Sequence, residues 1–192
     1  MNDAKAAALA EVGWGSLSDV NDAVVLVFGT AIGGAIIKDK NIHNGKHFSA
    51  GEFSYLICGS DVSNPDDLWW GINGNAKLRS QVAELKKLDK ETITGYDVFK
   101  YIEENDSEVV KVFDQFTKHI AKMIMNIQFF YDPEKIAIGG GISRQPKLLE
   151  YIQKNLDYFY SIYPYSTQHA TVVNCRYFNE SNLIGAYINF YQ

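Results

Sequence analysis

Cysteine is scarce in this chain: Cys58 and Cys175 are the two found in 192 residues. They stand far apart and show no CxxC spacing, which argues against a disulfide framework or a zinc ribbon and for a reducing, cytoplasmic setting. Positive charge is also short, with 18 Lys and Arg against 23 Asp and Glu and a net charge of -5. Without a Lys/Arg stripe to neutralise phosphates, a nucleic-acid partner is not expected. Long apolar runs are missing as well. "AVVLVF" at 23–28 is too short to span a bilayer, and no charged and then apolar leader follows Met1, so no membrane association is expected.

What is present suits one folded unit. Hydrophobic residues make up 46% of the chain and charged residues 21%, the proportions of an ordinary globular domain. The Ala-rich run behind Asn2 predicts a helix from Asp3 to about Trp14, ended near Gly13 and Gly15. "NDAVVLVFG" reads as a buried strand, "GTAIGG" as a turn, "AIIKDK" as a second strand and "KNIHNG" as the start of a third. The segment 45–75, dense in Gly, Ser, Asn and Asp, reads as an irregular functional loop.

Helices are predicted over Ala76–Leu88, over "TGYDVFKYIEEN", and over "DSEVVKVFDQFTKHIAKMIMNIQFFYD". In the last, Val109, Phe113, Phe116, Ile120 and Ile124 recur near helical spacing behind a cap at Asp106 or Ser107. Pro133 stops it. "KIAIGGG" is then a strand running into a Gly turn, "SRQPKLLEYIQKNLDYF" a helix, "ATVVNCRYF" a strand and "SNLIGAYINFY" a final helix. With no internal repeat and no low-complexity linker, residues 1–192 are expected to form a single α/β domain with a mixed sheet.

Four stretches are suited to chemistry, each with a plainer alternative. Asn2 or Asp3 can cap the first helix, and a carboxylate at a helix N-terminus, which the helix dipole favours, also suits a general base. "FGTAIGGA" at 28–35 can aim several backbone N–H groups at an anion, or simply turn a hairpin; with no Lys after the last Gly and no helix following, it is not a Walker loop. "IGGGIS" at 138–143 lies between a strand and a helix, where α/β sheets bind ligands, although close packing needs small residues there too. Glu52, behind Gly51 in "SAGEFSYL", can accept from sugar hydroxyls or be a solvated loop carboxylate. His43, His47, His119 and His169 show no ligand spacing and read as structural or exposed.

Taken in order, "NDAKAAALAE", "GTAIGGAIIKDKNIHNG", "AGEFSYL", "YDPEKIAIGGGIS" and "LIGAY" resemble the ROK family (repressor, open reading frame, kinase) over nearly the whole chain. Glucokinase-like and β-glucoside kinase members are the most similar. The resemblance implies the hexokinase and actin-like (ribonuclease H-like) ATPase fold, with a mixed sheet flanked by helices. It also implies an ATP-dependent sugar kinase acting on the 6-hydroxyl of a hexose or β-glucoside. Asp3 would be the base that takes the hydroxyl proton, and Asn2 would hold neighbouring hydroxyls. Gly51 and Glu52 match the sugar-binding Gly-Glu pair. Gly29, Thr30, Ala31, Gly33 and Gly34 match the loop that meets the ATP phosphates, and Gly140 and Gly141 the cluster near adenosine. Mg2+ would arrive with ATP and need no dedicated protein site.

The chain departs from the family pattern in several places. Ser54 and Tyr55 stand where many members have Gly-His, and the usual cysteine cluster is reduced to Cys58, so zinc is not expected. A wider opening at that end of the cleft would admit a β-glucoside. Ala31 replaces a usual Gly and fits only at negative φ. Nothing matches the family's N-terminal lobe with its Asp-x-Gly-Gly-Thr hairpin, so the resemblance implies a C-terminal lobe with little activity alone, served by a homodimer or a complementing N-terminal lobe. The alternatives are a sugar-binding regulator and an oligomerisation module using aromatics such as Trp69, Trp70 and "DYFYSIYPYS" at 157–166.

Overall fold

In the computed structural model, which describes residues 3–61, 63–164, 168–177 and 181, 184, 185, 187 and 188, the apolar run Ala23–Phe28 (β1) is the central strand of a sheet. Ile32–Lys38 (β2) and Asn41–His43 (β3) continue from it as an antiparallel meander, while Lys135–Gly139 (β4) and Thr171–Asn174 (β5) add in parallel on the other side. The order is β3-β2-β1-β4-β5, a mixed sheet. Asp39 and Lys40, at φ 50° and 62°, make the two-residue turn between β2 and β3, where positive φ matches the twist of the paired strands.

The expected turn "GTAIGG" is shorter in the structure. Only Gly29–Ala31 leave the ladder; Gly33 and Gly34 are strand residues paired with Val27 and Leu26. Ala31 is not at positive φ, so the condition on replacing Gly is met. The irregular segment also holds more structure than its composition suggests. It contains single 3-10 turns at Phe53–Tyr55 and Pro65–Asp67, and a short helix, Trp69–Asn73 (α2), before Asn75–Lys86 (α3).

Two helices are well punctuated. Gly95–Glu103 (α4) starts with a capping box between Thr94 and Asp97, and Ser107–Tyr131 (α5) starts on Asp106, whose carboxylate accepts from the Val109 N–H at 3.1 Å. A 3-10 turn, Gly141–Arg144, precedes Pro146–Ile162 (α6). The strand expected over "ATVVNCRYF" is only Thr171–Asn174. Of the expected final helix, Ser181, Ile184, Gly185, Tyr187 and Ile188 are helical and the rest of the stretch lies outside the described residues.

Helices cover both faces of the sheet. On one, α5 lays Phe113, Phe116, Ile120, Ile124 and Ile127 over Val24, Leu26 and Phe28, joined by residues of α3, α4 and α6. On the other lies Asp3–Trp14 (α1), with Ala8 packed into a smaller cluster with Val25, Ala35, Ile37 and Ala137. Helix α1 is buried on more than one side: Ala4, Ala6, Ala7, Ala8 and Ala10 are all buried. A Cβ on Gly33 would lie 2.9 Å from Ala4 Cβ, and one on Gly185 would lie 1.7 Å from the Ala6 carbonyl oxygen. Backbone therefore approaches α1 from the sheet and again from the C-terminal segment.

Glu11, fully buried, closes the far end of α1. Its carboxylate accepts from Ser16 N (2.8 Å), Ser16 Oγ (2.9 Å), Arg176 N (3.0 Å) and Tyr177 N (3.1 Å), and these donors offset the cost of burying a charge. Trp69, which only the alternative reading as an oligomerisation module would place at an interface, is fully buried in the core. It meets Phe28 and Phe53 edge-on and donates from Nε1 to Asn73 Oδ1 at 3.0 Å. Trp70 remains 37% exposed.

Candidate functional site

The C-terminal end of β1 is where separated stretches of sequence meet. Phe28 ends the strand, the Gly29–Ala31 turn follows, and the Gly29 N–H donates to the Ala31 carbonyl at 2.9 Å. Helix α1 runs beneath β2 and brings Asp3, exposed in its first turn, to this edge. From the other side, Ser54 Oγ donates to the Ile32 carbonyl at 2.6 Å and accepts from the Ile32 N–H at 3.1 Å. That pair of bonds pins the 3-10 turn holding Glu52 and Tyr55 against the start of β2.

A cleft of about 420 Å3 results, walled by Asp3, Gly29, Ala31, Gly33, Glu52 and Tyr55. A second cleft, about 740 Å3, lies across the turn, with Gly29, Thr30, Arg79, Tyr96, Gly141 and Arg144 among its walls. Gly29 lines both. The first cleft carries two carboxylates and the second two guanidinium groups, so hydroxyl-binding and anion-binding chemistries adjoin at one turn. At the rim of the second, Asn75 donates from Nδ2 to the Phe28 carbonyl at 3.1 Å while its Oδ1 is buried without a partner.

Not every glycine singled out in the sequence faces a cleft. Gly34 is buried, and a Cβ there would lie 2.2 Å from Phe53 Cδ2. Gly51, at φ 85°, packs so closely that a Cβ would lie 2.9 Å from Ala35 Cα; it lines a neighbouring groove of about 790 Å3, which shares Glu52 with the Asp3 cleft and also includes Phe129 and Phe130. Gly140, at φ 90°, would place a Cβ 2.2 Å from the Phe28 carbonyl oxygen. In these three the missing side chain lets two backbones meet, whereas Gly141 has open space at its Cα. Asn2 lies outside the described residues.

The polar walls of the second cleft, Asn75, Arg79, Tyr96 and Arg144, were not singled out in the sequence, since each is an ordinary helix or loop residue until the sheet brings them together. Neither cysteine has the character of an activated nucleophile: burial pushes the Cys58 thiol above its usual range and that of Cys175 further still. Among the described residues no group of three or more His, Cys, Asp or Glu side chains converges to hold a metal ion. Among the same residues, no helix is long and apolar enough to cross a membrane.

Comparison with known proteins bears on these clefts. The model of the ROK family matches residues 1–192. A β-glucoside kinase from Listeria monocytogenes is 29% identical over 197 residues, covering 100% of this chain and 64% of that protein. The crystal structure of a ROK family protein from Streptococcus pneumoniae TIGR4, in complex with sucrose, superposes with a TM-score of 0.87 at 26% identity, over 98% of this chain and 64% of that one. A ROK family glucokinase from Streptomyces griseus, in complex with glucose and AMPPNP, has a TM-score of 0.81 at 22% identity, over 96% of this chain and 65% of that one, a likeness of fold. The chain thus spans just under two thirds of the length of these relatives.

Proposed function

The chain belongs to the ROK family, with the actin-like ATPase fold, and on that premise we propose that it carries the acceptor and nucleotide sites of an ATP-dependent sugar kinase. Asp3 takes the proton from the 6-hydroxyl of a hexose or β-glucoside as that oxygen attacks the γ-phosphate, and Asn2 and Glu52, beside Gly51, hold neighbouring hydroxyls. Backbone N–H groups of Thr30 and Ala31, in the turn that the Gly29 N–H closes onto the Ala31 carbonyl, face the phosphates, with Gly33 and Gly34 behind them, and Gly140 and Gly141 border the adenosine. Mg2+ bound to ATP would neutralise phosphate charge, and the protein need add few ligands of its own.

The observation that carries this reading is the shared wall. Gly29 belongs both to the cleft of Asp3 and Glu52 and to the cleft of Arg79, Arg144 and Gly141, so acceptor and donor would meet at one point. Phosphoryl transfer through a loose transition state depends mainly on such in-line positioning and charge neutralisation, with modest help from a base. Such kinases also exclude water by closing two lobes. The facing wall is proposed to come from a complementing N-terminal lobe, corresponding to the part of the relatives that this chain does not match, or from a second copy. The proposed compartment is the cytoplasm, where both thiols stay reduced.

A coupled assay for ADP release tests the proposal, with Mg-ATP and glucose, mannose, N-acetylmannosamine or cellobiose. It is run on the chain alone and with the unmatched third of the Listeria relative supplied. Sugar-dependent turnover is expected with the added lobe, falling about 10²–10⁴-fold in Asp3→Ala. ADP release indifferent to sugar, or unchanged in Asp3→Ala, overturns it.

A further inference from the structure

The turn between β1 and β2 is held from outside by its carbonyls, and the start of α3 does the holding. Asn75, the first residue of α3, takes two of them: its backbone N–H donates to the Gly29 carbonyl at 3.1 Å, and its Nδ2 donates to the Phe28 carbonyl at 3.1 Å. The Thr30 carbonyl points at Gly74, where an added Cβ would lie 2.6 Å from the oxygen and 3.7 Å from the carbonyl carbon. Gly74 has φ -62° and ψ 142°, a conformation open to any residue. Its lack of a side chain therefore serves close approach, to Thr30 and to the Trp70 carbonyl.

Peptide planarity turns these contacts into an orientation. In a trans peptide the N–H points opposite to the carbonyl of the preceding residue. With the Gly29 carbonyl on Asn75, the Thr30 N–H is directed away from α3, and with the Thr30 carbonyl on Gly74, so is the Ala31 N–H. Thr30 and Ala31 are exposed, and neither N–H has an acceptor among the described residues. Two adjacent donors thus face outward between the two clefts, an arrangement suited to an anion. The Asn75 side chain fixes the base of this arrangement: it holds the Phe28–Gly29 peptide, whose N–H closes the turn onto the Ala31 carbonyl at 2.9 Å.

That grip has a cost. A carbonyl can only accept, so the amide nitrogen of Asn75 must face Phe28, and its Oδ1 is left buried without a partner. A stranded acceptor detracts from stability, and an apolar side chain of similar size would avoid it. We infer that Asn75 is a positioning residue for phosphoryl transfer: by holding the Phe28–Gly29 peptide it keeps the Thr30 and Ala31 N–H groups aimed at the phosphates of the donor. It acts through the backbone of the turn. The inference rests on the Gly29–Ala31 turn being the phosphate site.

Calorimetric titration of the whole chain with Mg-ATP and with adenosine tests this, in the wild type and in Asn75→Ala, Asn75→Leu and Gly74→Ala, with melting temperatures from circular dichroism. Adenosine carries base and ribose but no phosphate, so it reports on the cleft without the turn. Both Asn75 variants are expected to weaken Mg-ATP roughly tenfold and to leave adenosine unchanged. Their melting temperatures should move by no more than about 4 °C, because the lost bond is offset by removal of the stranded acceptor. Gly74→Ala, which pushes on the Thr30 carbonyl, should weaken Mg-ATP in the same selective way. Mg-ATP affinity unaltered in both Asn75 variants, Mg-ATP and adenosine weakened by the same factor, or a collapse of the melting temperature in both overturns the positioning role while leaving the nucleotide site standing. If the wild type binds no Mg-ATP, or binds it no more tightly than adenosine, the phosphate-turn reading fails and the role of Asn75 with it.

Discussion

The two faces of the sheet are packed by opposite means. Against α5 the contacts are made by large side chains, with Phe113, Ile120 and Ile124 at or near zero exposure. Against α1 the helix contributes alanines, which meet Val25, Ala35, Ile37 and Gly33, so closely at Gly33 that an added methyl group would lie 2.9 Å from Ala4 Cβ. Large side chains bury area and supply stability. Small ones supply little area but fix a distance, and the end of the helix they fix carries Asp3. The molecule thus separates what holds it together from what aims its carboxylate.

Three experiments sharpen or break that contrast. The largest effect belongs to the bulky face: Phe113→Ala removes a ring packed against Phe99, Phe116 and Tyr151, and a loss of about 3–5 kcal/mol is expected from urea unfolding. A loss under about 1 kcal/mol would mean that α5 is not the principal core. Next comes the close face. Gly33→Val pushes α1 off β2 at an expected cost of about 1–3 kcal/mol, but it should weaken sugar affinity far more than Phe113→Ala does in its folded fraction. Equal effects on affinity would dissolve the division of labour.

The smallest effect concerns His119 on α5. Burial first, then Lys122 and Lys118, hold its pKa below the ordinary 6.5. Because the folded-state value is the lower one, the unfolded chain takes up the proton first as pH falls. The stability present above about pH 6.5 therefore declines as pH drops through that value toward the folded-state pKa. His119→Gln should flatten the fall in melting temperature between about pH 7 and pH 5; an identical fall in both proteins would assign the dependence to the carboxylates.

Much of the architecture was legible because its signals are local. The spacing of Val109, Phe113, Phe116, Ile120 and Ile124, the cap at Asp106, and the apolar run of β1 each declare an element within a few residues. Gly33 and Gly34 misled: a Gly pair reads as a turn, yet here it keeps strand geometry because Ala4 presses on one face and Phe53 on the other. The short α2 escaped notice because it is held by long-range bonds, Asn73 to Phe116 among them. Trp69 and Trp70 look alike in sequence, and only packing separates the buried ring from the exposed one.

The same division holds for the site. Local chemistry made Asp3, Glu52 and the Gly-rich stretch at 28–35 candidates, each beside a plainer reading as a helix cap, a loop carboxylate or a hairpin turn, and the resemblance to the ROK family supplied their expected roles. Tertiary structure decided that they share a cleft, that Gly51, Gly34 and Gly140 serve backbone contact, and that Arg79, Tyr96 and Arg144 face the other side of the turn. Distance along the chain does not encode distance in space. It took the pairing of β1 with β2 and β4, and the close seating of α1, to bring residues 3, 29, 52, 79 and 141 to one edge of the sheet.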